Sequence, residues 1–215
     1  MLTEHLRQDY QLGPNNPMRP LLGGAPFVHV PDLAEIDDPV AQNVVKLAGI
    51  RTILFTDVVN STTLTQLLGD EAALAILGVH DTIVRDALSA LGGREIKHTG
   101  DGIMASFISP AAAVRCAIQI QRELDKHAQA NPKRCLKVRV GAAVGEPVEQ
   151  HNDLFGSTVQ LAARLCAHAQ PEQILVSNAI AELCLGKGLL FEDVGEVTLK
   201  GFNTPVRAHV AAWRQ

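Results

Sequence analysis

The stretch that most restricts the fold is REIKHTGDGIMASF, residues 94 to 107. Two strand-like runs flank Gly100, Asp101 and Gly102, and the glycines give the backbone the freedom that a tight hairpin needs. Upstream, TILFTDVV is an apolar run of β-branched and aromatic residues, too short for a helix and suited to a central strand. Between that strand and the hairpin, Leu64, Leu67, Ile76, Val84 and Leu88 recur at mainly helical spacing. Ser61 or Thr62 can cap this helix, and Gly92 with Gly93 ends it. Downstream, SPAAAVRCAIQIQRELDKHAQ reads as a helix with Ser109 as cap and Pro110 at its first position. In CLKVRVGAAVGEPV, Leu136, Val138, Val140, Ala142 and Val144 share one face of a half-buried strand. The resulting order, β-α-β-β-α-β, is an α+β, ferredoxin-like core with both helices on one face of the sheet. A helix over 158–169, a strand at QILVS, a helix over 178–185 and strands around 191–200 and 206–211 extend it.

A chain of 215 residues holds one catalytic-sized domain plus an appendage. Pro14, Pro17, Pro20, Pro26, Pro31 and Pro39 mark residues 1–50 as a linker or partial module, leaving residues 51–215 as the main domain. Composition is that of a soluble globular protein, 47% hydrophobic and 20% charged, and no apolar run approaches the roughly 18 residues that span a bilayer. The opening MLTEHLRQDYQ lacks the basic-then-apolar order of a secretory signal, so a cytoplasmic location is expected. A formal charge of −4 disfavours a general nucleic-acid surface but leaves room for one triphosphate, which needs only local cations. Cys116, Cys135, Cys166 and Cys184 have no CxxC spacing and read as reduced, mostly buried thiols.

Asp57 ends the first strand and Asp101 sits in the hairpin turn. If the first strand is central and lies beside the hairpin, the two carboxylates converge at one sheet edge. Such a pair is costly unless a cation shares it, and magnesium or manganese is the natural guest. The amides at the start of the following helix would favour an anionic phosphate tail. Taken singly, either aspartate also reads as a turn former or a helix cap.

Four segments in order, FTDVVNST, KHTGDGIMASF, DLFGSTVQLAARL and VTLKGFNTPV, resemble the catalytic domain of class III nucleotidyl cyclases, the adenylyl and guanylyl cyclases, over residues 51 to about 212. The resemblance implies that Asp57, Asp101 and the backbone carbonyl of Val58 hold two Mg2+ or Mn2+ ions per active site. It implies that Lys97 and Asp153 read adenine, which offers a ring-nitrogen acceptor and an amine donor, so ATP is the expected substrate. By the same resemblance Arg164 stabilises charge on the transferring phosphate and Lys200 touches the terminal phosphates. The family's sites form between two catalytic domains, so a homodimer with two equivalent sites is implied.

Two positions depart from the family's pattern. Gln160 stands where relatives carry the asparagine that contacts ribose, one turn before Arg164, and Asn60 replaces a frequent glycine. PFVHVPDLAEIDDPVAQNVVKLAGIRTIL is similar to the middle of a GAF domain, with a helix expected from Val40 to Leu47. Alternatives are a nucleotide-binding regulatory module without turnover, a guanylate cyclase, a diguanylate cyclase or polymerase-like palm, and a plain ferredoxin-like interaction domain. The third lacks its GGDEF string, and the fourth leaves the paired aspartates without purpose.

Overall fold

The apolar run and the hairpin become three adjacent strands. The computed structural model describes residues 46–47, 49–132 and 136–214. After β1 (Lys46–Leu47), the central β2 (Arg51–Val58) sends alternate side chains to opposite faces. Helices α1 (Ser61–Leu68) and α2 (Asp70–Leu91) lead to the hairpin strands β3 (Arg94–His98) and β4 (Ile103–Phe107). Then come α3 (Pro110–Ala130), β5 (Val138–Gly145), β6 (Val148–Gln150), β7 (Asp153–Phe155) and α4 (Ser157–His168). The chain continues with β8 (Ile174–Ser177), α5 (Asn178–Leu183), β9 (Phe191–Val197) and β10 (Val206–Ala211).

The large sheet has seven strands in the order β3-β4-β2-β5-β8-β10-β9. Its first four strands are mutually antiparallel and carry the ferredoxin-like order; β5 and β8 run parallel. Leu54 and Val58 of β2 face the core built with Val84 and Leu88 of α2 and Val114 and Ile120 of α3. Ile53, with opposite parity, packs with Met104, Ala143 and α4 residues Ala162 and Leu165. The sheet is therefore covered on both faces, and each fully buried Leu or Ile contributes about 2 kcal/mol.

Several expectations change. The single helix before the hairpin breaks at Gly69, whose φ of 79° and ψ of 164° no helix accommodates. Neither Ser61 nor Thr62 caps it; Asn60 occupies the N-cap position in the left-handed region, φ 58°, without a side-chain capping bond. Asparagine tolerates that region better than most residues, which explains how it stands in for glycine. Lys46 and Leu47 are strand rather than helix, pairing with Glu149 and Val148. The strand expected to reach residue 200 ends at Val197. The small sheet β1-β6-β7 has no counterpart in the expected elements. Most of the GAF-like stretch, and Cys135, lie outside the described residues; Cys116, Cys166 and Cys184 are free and buried.

Candidate active site

Asp57 is the seventh residue of β2 and projects from the face opposite Val58, whose side chain is buried in the helix-covered core. The hairpin bends towards it: the Val58 amide donates to the Asp101 carbonyl at 3.1 Å. Gly102 makes this approach possible, because a Cβ there would lie 1.9 Å from the carbonyl oxygen of Thr56. The Asp57 and Asp101 carboxyls are thereby near enough for the charge of one to bear on the other. Burial lifts the Asp57 carboxyl above its ordinary range, and the neighbouring charge of Asp101 adds to this while Arg139 opposes it.

Arg139 sits directly across from Asp57 in the β2–β5 register, and its Nε donates to Asp57 at 2.5 Å. Its Nη1 donates to the carbonyl of Ala167, at the end of α4, at 3.1 Å. Asp101 accepts from the Ser61 hydroxyl at 2.5 Å. Sequence reasoning named neither Arg139 nor Ser61 as a partner of these aspartates. The alternating strand around Arg139 showed that it faces away from Val138 and Val140, but not which residue of β2 it would oppose.

The second cluster forms where β3 meets β7. Lys97 Nζ donates to Asp153 at 2.5 Å across 56 positions of sequence, and lies 5.4 Å from the centre of the Phe155 ring. Asp153 follows a tight turn in which His151 and Asn152 both have positive φ, 51° and 62°. Its other carboxylate oxygen accepts from the Leu154 amide at 2.8 Å. Gln160 and Arg164 lie on the exposed side of α4, opposite the buried Thr158, Ala162 and Leu165, and Lys200 is exposed after β9. Among the described residues the side chains of Gln160, Arg164 and Lys200 have no hydrogen-bond or ion-pair partner.

The first cluster suits a hard divalent cation. Two carboxylates share one spot, and burial disfavours charge on one of them, a tension that a cation relieves. Among the described residues no group of three or more His, Cys, Asp or Glu side chains is arranged to hold a metal ion, so substrate and water would complete the coordination. No helix among the described residues is long and apolar enough to cross a membrane.

Residues 45–212 match the Adenylate and Guanylate cyclase catalytic domain, in keeping with the sheet and the acidic pair beside its hairpin. The chain belongs to that family. A Mycobacterium tuberculosis (strain H37Rv) protein is 38% identical over 154 residues, 72% of this chain and 39% of that protein. The putative adenylate cyclase 3 of Rhizobium meliloti is 35% identical over 123 residues, 56% of this chain and 21% of that protein. The chain thus spans well under half the length of these curated relatives. Among solved structures, the adenylyl cyclase CyaB from P. aeruginosa overlays with a TM-score of 0.70 at 23% identity, covering 76% of this chain and 93% of that one. That likeness concerns the fold.

Proposed function

We propose that the domain converts ATP to 3′,5′-cyclic AMP and pyrophosphate, with two divalent ions, at sites shared between two copies of the chain. The observation that carries this reading is the Lys97–Asp153 pair, a cation and a carboxylate held 2.5 Å apart beside an aromatic ring. Donor and acceptor side by side match the ring nitrogen and exocyclic amine of adenine; guanine presents a carbonyl acceptor where adenine has its amine and a ring N–H donor where adenine has its ring nitrogen, so the order in which lysine and aspartate meet the base selects between the two.

Asp57, Asp101 and the carbonyl of Val58 would hold Mg2+ or Mn2+. When bound, these ions favour deprotonation of the ribose 3′-hydroxyl and neutralise triphosphate charge. The ribose oxygen bonds to the α-phosphorus as the bond to the pyrophosphate oxygen breaks. The first-turn amides of α1, which lack a side-chain cap, offer donors to the phosphates. Arg164 is assigned to charge on the transferring phosphoryl group, Gln160 to the ribose and Lys200 to the terminal phosphates. Their exposure supports sites completed by a second subunit. We assign residues 51–215 to the catalytic domain and residues 1–50 to a separate segment. Three free, buried cysteines support a reducing, cytoplasmic setting.

Gln160 favours a second reading, a nucleotide-binding regulatory module, because its amide sits one methylene further out than an asparagine's. The test incubates purified protein with ATP or GTP and Mn2+ or Mg2+ and separates the products chromatographically, alongside Asp57→Ala and Lys97→Ala. Cyclic AMP that disappears in Asp57→Ala supports the enzyme. Nucleotide binding without product supports the regulatory module, and cyclic GMP as main product overturns the base assignment.

A further inference from the structure

Beneath the two aspartates runs a buried chain of polar groups with no part in the chemistry above. Thr56 and His80 are both essentially inaccessible to solvent. His80, on α2, places Nε2 3.1 Å from the Thr56 hydroxyl and Nδ1 3.0 Å from the Asp81 carboxylate. The Thr56 oxygen in turn accepts from the Ile103 amide at 3.0 Å. Asp81 also meets His98 Nε2 at 3.1 Å and Arg85 Nη1 at 3.3 Å.

The donors in this chain point one way. Burial opposes charge on Asp81, yet hydrogen bonds from His80 and His98 hold its carboxyl below the ordinary value, so it stays an acceptor. Burial keeps His80 neutral. Nδ1–H therefore donates to Asp81; the Thr56 hydroxyl, whose oxygen accepts from the Ile103 amide, has the nearer of its two acceptors in His80 Nε2, at 3.1 Å against 3.5 Å for the Ile103 carbonyl.

The location gives the chain its purpose. Regular β2–β4 pairing ends at Phe55 opposite Met104, and the next link is the Val58 amide to the Asp101 carbonyl. Between them Gly102 crowds the Thr56 carbonyl, and the Ile103 amide turns to the Thr56 side chain. One hydroxyl thus ties the strands together between Asp57, which follows Thr56, and Asp101, two residues before Ile103.

We propose that Thr56 and His80 are positioning residues for the divalent-ion site, fixing the offset of the hairpin against β2 and with it the separation of the Asp57 and Asp101 carboxyls. This rests on the assignment of those aspartates as the metal-holding pair. The test measures Mn2+ binding to the full chain by electron paramagnetic resonance in the presence of 3′-deoxy-ATP, which has no nucleophile to react. Thr56→Val, which keeps shape and loses the hydroxyl, is expected to weaken Mn2+ binding about tenfold, while Thr56→Ser stays within about twofold of the unaltered protein. A merely structural role would lower the melting temperature of Thr56→Val and leave Mn2+ binding unchanged. Should Thr56→Val fail to fold, His80→Phe, which removes the hydroxyl's acceptor together with the donor to Asp81, carries the same expectation. Asp57→Asn separates the two levels. If it abolishes binding while Thr56→Val and His80→Phe bind normally, the positioning role is overturned alone; if it binds normally, the metal assignment falls and the positioning role with it.

Discussion

The acidic and basic clusters are assembled on opposite principles. Around Asp57 and Asp101 each carboxylate already has a partner within the chain: Arg139 for one, Ser61 for the other, with Ala167 steadying the arginine. Lys97 and Asp153 pair with each other, whereas Gln160, Arg164 and Lys200 are exposed and without side-chain partners among the described residues. Charge and burial explain the difference. Two carboxylates drawn together would repel and lose hydration, so the fold must supply compensation before any cation arrives. A lone arginine or lysine at the surface costs almost nothing to leave unpaired. The acidic half must be compensated within the chain, and in the proposed homodimer the exposed basic residues would find their partners on a substrate held largely by another copy.

The strongest way to break this comparison is to disable each half separately. Asp57→Asn should lower turnover about a thousandfold or more, since a lost ligand removes several kcal/mol of charge stabilisation. Arg164→Ala should cost about a hundredfold to a thousandfold, as for a single transition-state donor. Both proteins should keep wild-type circular dichroism. Mixed in equal amounts and allowed to exchange subunits, the two should recover about a quarter of wild-type activity. Half the dimers are then mixed, and each has one intact site of two. No recovery in a mixture shown to form mixed dimers would mean that each site draws both halves from one chain.

A smaller change sharpens the basic half alone. Gln160→Asn draws the amide back by one methylene, about 1 Å, and should raise kcat by up to about a hundredfold. Initial rates with ATP at saturating Mn2+ measure it. An unchanged kcat would mean that Gln160 already reaches its target or has none.

What the sequence disclosed divides along similar lines. The central strand, the hairpin and the capped α3 were legible because each spans enough residues for its period to show, with punctuation from Gly92, Gly93, Ser109 and Pro110. The β6–β7 hairpin was not. Its strands are three residues each, too short for alternation to register, and its turn uses His151 and Asn152 rather than a glycine signal. The helix break at Gly69 was hidden by leucines that continue at helical spacing on both sides. The Asp57–Arg139 pair depends on strand register, which one strand's pattern does not reveal. Lys97 and Asp153 were named from the resemblance, and the fold brings them together through β7, an element that no pattern announced.

The smallest effect concerns how the support beneath the acidic half responds to pH. Burial lowers the basicity of His80 below its ordinary 6.5, so the folded protein holds it neutral while the unfolded chain protonates it near that value. Below about pH 6.5 the unfolded state therefore binds more protons, and stability falls with falling pH by at most about 1.4 kcal/mol per unit until the folded value is reached. Above pH 6.5 this contribution is present in full. Asp81, held below its ordinary 3.8, keeps its contribution throughout that window and loses it only at more acidic pH. Urea unfolding from pH 5 to 8 should show the slope in the wild type and a shallower one in His80→Gln. Arg164→Ala and Gln160→Asn should leave the slope intact, because both residues sit exposed on α4 with no buried titratable partner. An equal slope in His80→Gln would place the pH sensitivity elsewhere and remove the distinction between a buttressed acidic half and a solvated basic one.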